Sequence, residues 1–332
     1  MYVTRRLSGY KDSPSSLSLN PEQEQGPNSG YLVIQDKHSD TYCCFGLCRV
    51  SEIEEPPLPQ NKKLTVLRTV QQGDSTSVRA KEVIFIPALN QPLSSNRYYA
   101  IVPHGNHKGE AYLCSREEDQ TTCCFCSCVR DLKPAALDHR NPYQQVEIVP
   151  RQHCCAGKGY FTSKSVASDG FPPSFLRQKD WRTRASKARN ILLDDAFGID
   201  APRRARLPDF GFPLARESGE AAAVGKWYCP FMFVRDGEAK EQVKHSLYYE
   251  MTLDQRWVKL REFGVSSDQD TVELRCPVRT EVVRVAGNDA PAARNQRDGG
   301  LFTIFVGSGE GVTVGLSSVI MERMRWEEEK TG

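Results

Sequence analysis

The sequence has no long apolar run. In its 332 residues the longest such stretch is about Val83 to Leu89, and Pro87 interrupts it. A membrane-spanning helix needs about 20 apolar residues, so none is expected. The opening, Met1-Tyr-Val-Thr-Arg-Arg, carries charge with no apolar segment behind it, and residues 8–30 are rich in Ser, Pro, Gly and Gln. That composition speaks against a secretory leader. Asn-x-Ser/Thr acceptors are absent, and Tyr2 in place of glycine excludes N-myristoylation. An excess of one charge is lacking too: 44 Lys and Arg face 42 Asp and Glu, a net +2. No global field therefore draws the chain to nucleic acid or anionic lipid. Short catalytic signatures are missing as well. Ala156-Gly-Lys-Gly159 lacks the first glycine and the Ser/Thr of a phosphate loop. Gly307-Ser-Gly-Glu-Gly311 runs into Val312-Thr-Val-Gly, a strand pattern, and reads as a hairpin turn. With 39% apolar and 26% charged residues, the composition is that of a soluble globular protein. The length predicts about two domains.

What the chain does have is cysteine in a repeated pattern. Thr41-Tyr-Cys-Cys-Phe-Gly-Leu-Cys48 and Thr121-Thr-Cys-Cys-Phe-Cys-Ser-Cys128 both read T-x-C-C-F-x-x-C. Tyr31-Leu32 and Tyr112-Leu113 precede each copy, followed by an acidic turn. Ten of the twelve cysteines lie between Cys43 and Cys155. Without a leader, such thiols read as reduced cysteines or metal ligands. The adjacent pairs Cys43-Cys44, Cys123-Cys124 and Cys154-Cys155 fit poorly with disulfides inside each pair, because neighbouring strand side chains point to opposite faces.

If Thr121–Val129 is one extended strand, Cys124, Cys126 and Cys128 share a face, with Cys123 and Phe125 opposite. In the first copy Cys44 and Cys48 share a face. Together Cys44, Cys48, Cys124, Cys126 and Cys128 form a candidate metal set, with structural zinc as the ion four thiolates would hold. The spacing is not that of a zinc knuckle. His153 beside Cys154-Cys155, and His104 and His107 near Cys114, are candidate additions. Buried free thiols, structural zinc and reactive thiols stay open as alternatives.

Alternation and β-branching predict strands at Tyr31–Gln35, Lys63–Val70, Val83–Ile86, Arg97–Val102 and Tyr143–Val149, with turn chemistry at Asn90–Asn96. Trp181, Ala185, Ala188 and Leu192 at i, i+4, i+7 and i+11 predict a helix from Ser174 to about Phe197. Later strands are expected at Lys226–Val234, closing at Arg235-Asp-Gly237, then at His245–Leu260, Thr271–Ala286 and Leu301–Val306. Ser317–Lys330 fits either period and is read as strand up to Trp326. The expected fold is mainly β, with two antiparallel sandwich-like or rolled-sheet domains and a short helical connecting segment. Residues 1–30 form an irregular arm, 31–155 a cysteine-rich β domain, 156–224 the helical and loop connection, and 225–332 a C-terminal antiparallel β domain.

Several stretches resemble a plant-specific family classed as domain of unknown function 1262. They are Met1-Tyr-Val-Thr-Arg5, Gly26-Pro-Asn-Ser-Gly-Tyr-Leu-Val-Ile-Gln-Asp36, Leu89-Asn-Gln-Pro-Leu-Ser-Ser-Asn-Arg-Tyr-Tyr99, His107-Lys-Gly109 and Cys114-Ser-Arg-Glu-Glu-Asp119 running into the second cysteine copy. Asp169-Gly-Phe-Pro-Pro173, Gly225-Lys-Trp-Tyr-Cys-Pro-Phe231, Gln255-Arg-Trp257 and Glu322-Arg-Met-Arg-Trp-Glu-Glu328 carry it to the C-terminus. The resemblance implies a land-plant protein with no accepted catalytic residues and no assigned cofactor.

The function expected from these readings is a non-enzymatic interaction or regulatory protein with a structural cysteine cluster, intracellular and cytoplasmic, with the nucleus as an alternative. A protein partner is favoured over nucleic acid. One alternative is a thiol-dependent enzyme or redox sensor using Cys43, Cys48, Cys126 or Cys128. Another is a nucleic-acid binder working through the basic segment 177–206, whose simpler reading is a solvated face.

Overall fold

The structure is a computed structural model that describes residues 1–40, 42–43, 48–49, 51–123, 126–153, 157–206, 208, 211, 213, 215–260, 262, 283–285, 288–290, 292–298, 301–306 and 313–330. Strand β1 (Tyr2–Arg6) leads through helices α1 (Leu7–Asp12) and α2 (Pro21–Gln25) to β2 (Gly30–Ile34). Short strands β3 (Tyr42–Cys43), β4 (Cys48–Arg49) and β5 (Glu52–Ile53) precede the long β6 (Lys63–Gln72) and β7 (Ser75–Pro87). Then come β8 (Arg97–Ile101), β9 (Gln120–Cys123), β10 (Cys126–Val129), β11 (Gln145–His153) and β12 (Gly157–Ser165). Helix α3 (Ser174–Arg177), β13 (Arg182–Ser186), β14 (Gly198–Ile199) and α4 (Ala201–Ala205) lead to β15 (Ala222–Pro230). The last part holds β16 (Val234–Arg235), α5 (Ala239–His245), β17 (Tyr248–Gln255), β18 (Val283–Val285), β19 (Asn288–Ala290), β20 (Ala292–Asp298), β21 (Phe302–Val306), β22 (Thr313–Ser317) and α6 (Ser318–Glu329).

The fold is mainly β, as expected, and its sheets are chiefly antiparallel. Seven strands form one sheet in the order β12-β11-β8-β7-β6-β13-β5. It curls until its far side meets the β13 end: Phe161 N–H donates to Trp181 O at 2.8 Å, and Trp181 N–H to Phe161 O at 3.1 Å. Alternate side chains fill the half-barrel, as a pleated strand requires. Leu64 and Val66, Val83 and Phe85, Tyr98 and Ala100, and Val146 and Ile148 are all buried in one core with Phe161 and Trp181. The Phe161 and Trp181 ring centroids lie 5.0 Å apart.

The other face of the same strands builds a second core. Ile86, Tyr99 and Ile101 pack with Tyr2, Leu32, Trp227, Phe231 and Ile320. Over them lies a sheet in which β15 pairs with β1, β14 and β17, and β1 pairs with β2. The β1–β2 pair is parallel, Tyr2 against Gly30 through Arg6 against Ile34, which explains the helical crossover between them. A separate sheet runs β16-β22-β21-β20. In it β21 and β22 are antiparallel, Val306 against Thr313, and the turn expected at Gly307–Gly311 lies outside the described residues.

Four local expectations need correction. Residues 1–30, expected to be an irregular arm, contribute β1 to the interior of the second sheet, with Tyr2 and Val3 buried. The helix expected over Ser174–Phe197 is only α3, followed by strand β13. Residues four apart share a face in a strand as well as in a helix, so Trp181 and Ala185 fit both periods. The C-terminal segment is a strand only to Ser317 and a helix from Ser318 onward. In addition, Asp236-Gly237 does not close a tight hairpin: α5 intervenes before β17.

Helix α6 is fixed by a buried charge cluster. Arg323, 0% exposed, pairs with Glu327 at 2.7 Å and donates from Nε to Ser29 Oγ at 3.1 Å. Its guanidinium lies over the Trp326 ring at 4.7 Å and the Trp227 ring at 5.6 Å. Arg204 of α4 reaches the same Glu327 at 2.8 Å. The turn before β2 admits the helix because Gly26 has φ +89°, and a Cβ there would meet Trp326 at 2.5 Å.

Trp181→Ala should cost about 3–5 kcal/mol in urea unfolding, the range for truncating a large core aromatic. A loss below about 1 kcal/mol would contradict its burial in the half-barrel. Arg323→Ala should cost about 3–5 kcal/mol, because it empties the space between Trp227 and Trp326 and leaves the buried Glu327 carboxylate with Arg204 alone.

Candidate anion-binding cleft

The two cysteine copies are hairpins in themselves. Cys43 pairs with Cys48 and Tyr42 with Arg49. In the second copy Cys123 pairs with Cys126, Thr122 with Ser127 and Thr121 with Cys128. The likeness extends upstream, since a 3-10 turn precedes each hairpin, Lys37–Ser39 and Glu117–Asp119. The chain therefore reverses inside each copy, which corrects the single extended strand expected over Thr121–Val129. Cys126 and Cys128 both lie on β10. Cys128 is exposed. Cys44 and Cys124 lie outside the described residues, as do Cys154 and Cys155, which follow His153 at the end of β11. Among the described residues no three or more His, Cys, Asp or Glu gather as metal ligands.

The other described thiols are packing groups. Burial pushes the Cys114 thiol up to about 11 and the Cys229 thiol up to about 12. The histidines proposed as their companions are held by carboxylates: His104 by Glu82, and His107 Nδ1 by Glu110 at 2.6 Å. Several arginines of segment 177–206 also pair within the fold. Arg177 binds Asp131 at 3.0 Å, Arg182 approaches Glu52 at 3.5 Å, and Arg204 binds Glu327.

A cleft of about 300 Å³ opens where the two cores meet. Lys62, Lys63, Lys108, Lys187 and Lys244 line it, with Glu82 the one carboxylate among its lining residues. Its apolar lining includes Ile84, Ile191, Val243 and Leu247. Four separate segments supply these groups: the β6–β7 edge, the loop after β8, the stretch after β13, and α5 with the residues just beyond it. Two of them are tied together, because Asn190 Nδ2 donates to Val243 O at 2.8 Å. The loop after β8 turns on Gly105 and Gly109, at φ +84° and +88°. Gly109 sits against α5, where an added Cβ would meet the Ala239 Cβ at 2.9 Å. Lys108 is thereby held at the cleft.

The charges divide unevenly. Lys63 and His104 both bind Glu82, and Lys244 binds Glu241 at 2.6 Å. Burial alone would raise the Glu82 carboxyl, but its hydrogen bonds to Lys63 and His104 outweigh that and hold it below the usual range. Among the described residues Lys108 and Lys187 have no ion-pair partner. Burial, and then the neighbouring Lys244 charge, pull the Lys108 ammonium below the usual lysine value.

Residues 25–125 match the family described as "Protein of unknown function (DUF1262)". The match runs from the Gly26 turn to Phe125, so it takes in the first cysteine hairpin, β5 to β8 and the loop bearing Lys108. This stretch is similar to a domain of unknown function. No curated protein matches the chain.

Sequence reasoning missed the cleft. Its lysines are scattered from 62 to 244, and no local motif joins them. The only trace was His107-Lys-Gly109, singled out as a motif without a role.

Site-resolved alkylation of native protein near neutral pH should label Cys128 readily and leave Cys114 and Cys229 unmodified until unfolding. Fast labelling of either buried thiol would contradict the packing described here.

Proposed function

We propose that this is a non-enzymatic regulatory protein that binds a small anion in the lysine-lined cleft and acts through protein partners. One observation carries the reading: in a chain of net charge +2, five lysines converge on one small cavity with a single carboxylate in its lining. A concave site with an apolar lining and a few convergent charges is the ordinary form of a ligand pocket. The free thiols Cys114, Cys128 and Cys229 suit a reducing, intracellular compartment. No described helix is long and apolar enough to cross a membrane.

We also propose that the family likeness covers the whole chain, as the plant-specific resemblance implies. Motifs outside the matched stretch pack on motifs inside it: Glu322 accepts from Asn28 Nδ2 at 2.8 Å, and Arg323 donates to Ser29. The cysteine hairpins are assigned a structural role in this reading.

Thermal shift and calorimetry with pyrophosphate at low ionic strength test the function. Saturable binding and a rise in Tm are expected, because a ligand of the native state stabilises it by mass action. The Lys108→Ala/Lys187→Ala pair should abolish both effects. A rise that sodium chloride reproduces at equal ionic strength would overturn the reading.

A further inference from the structure

The anion-binding reading leaves the ligand's class open, and the cleft's charge count and lining narrow it. We propose that the ligand is a compact phosphomonoester with an apolar body, its phosphate between Lys108 and Lys187 and its body over Ile84, Ile191, Val243 and Leu247. This inference rests on the anion-binding function proposed above.

Charge comes first. Of the five lysines, Lys63 and Lys244 pair with Glu82 and Glu241 and Lys62 has an interaction of its own, while Lys108 and Lys187 have no ion-pair partner among the described residues. Two ammoniums without an ion-pair partner match a dianion, which a phosphomonoester largely is at neutral pH. A monocarboxylate would leave one of them unmatched. Lysine rather than arginine suits a phosphate held by point charges, where no planar fork is needed. The cleft holds Lys108 near Lys244, and a dianion would relieve that repulsion.

Size and surface come next. About 300 Å³ lies at the small end of ligand pockets, enough for one phosphate and a short body but not for a polymer. Val243 and Leu247 are buried members of the second core, and Ile84 and Ile191 pack against it. A wholly polar ligand would leave the exposed part of Ile84 and Ile191 uncovered. The Gly109 contact with Ala239 and the Asn190 bond to Val243 hold the segments in place before binding. Such preorganisation lowers the cost of ordering the site.

Calorimetry on the full chain with four probes tests the inference: inorganic phosphate, phenyl phosphate, benzoate and glucose 6-phosphate. Phenyl phosphate should bind at least about tenfold tighter than each of the others. Lys108→Met and Lys187→Met should each weaken phenyl phosphate by about tenfold or more, while Lys133→Met, outside the cleft, should not. Ile191→Thr should weaken phenyl phosphate and leave inorganic phosphate unchanged. Circular dichroism and Tm of each variant confirm that it is folded. If all phosphates bind equally well, the apolar body is refuted while anion binding stands. If benzoate matches phenyl phosphate, the dianion is refuted. If no probe binds at low salt, both this inference and the anion-binding reading fall.

Discussion

Val83 and Phe85 point into the half-barrel, while Ile86 on the same strand packs into the second core. Tyr98 and Ala100 divide from Tyr99 and Ile101 in the same way. Strands β7 and β8 thus have no solvent face over these residues, and each of the two cores is built on one of their sides. A one-residue slip in this pair would exchange the two sets of side chains and unmake both cores at once. The cleft follows from the same arrangement. Val83 from the half-barrel and Val243 and Leu247 from the second core meet at its walls, so the lysines stand at the rim of a seam.

Sequence alone disclosed the strands whose alternation is local and uninterrupted. Lys63–Val70, Val83–Ile86 and Arg97–Val102 all fall within observed strands or within a residue of their ends. What it hid has physical reasons. A parallel pair such as β1–β2 has no hairpin turn to announce it, so the first strand looked like part of a loose arm. At Trp181 and Ala185 the helical and extended periods coincide, and the decisive fact, a tryptophan stacked on Phe161, is a long-range contact. Ser317–Lys330 held the helical spacing of Leu316, Val319, Ile320 and Met324, and packing against the Gly26 turn selected it. The cysteine repeat was legible as a duplicated hairpin, but the reversal inside each copy was not. The cleft was invisible because it joins groups from four distant segments, and charge composition averages such a patch away.

The motifs that carry the family resemblance also acquire a physical meaning. Gly26–Gly30, Leu89–Tyr99 and Glu322–Glu328 lie far apart in the chain yet meet at one place. Asn90 Oδ1 accepts from Ser29 N–H at 3.1 Å, Ser29 Oγ accepts from Arg323, and Trp326 lies against Gly26. These residues secure packing. His107-Lys-Gly109 differs, because its glycine seats a loop whose lysine faces the cleft.

The pairing of β1 with β15 also imposes an order in time. Tyr2 lies opposite Tyr228, so β1 meets this antiparallel partner only when the chain as far as Tyr228 has been made. The half-barrel strands are all present by Ser186, before β15 begins. Translation therefore favours finishing the half-barrel first, while β1 and β2 wait as a two-stranded edge. Chains interrupted before β15 would carry that unpaired edge, with Tyr2 and Val3 uncovered, into a crowded cell. Unpaired strand edges recruit one another. Among the described residues β15 is the only strand to pair with that side of β1, a demand set by topology and independent of how stable the finished fold is.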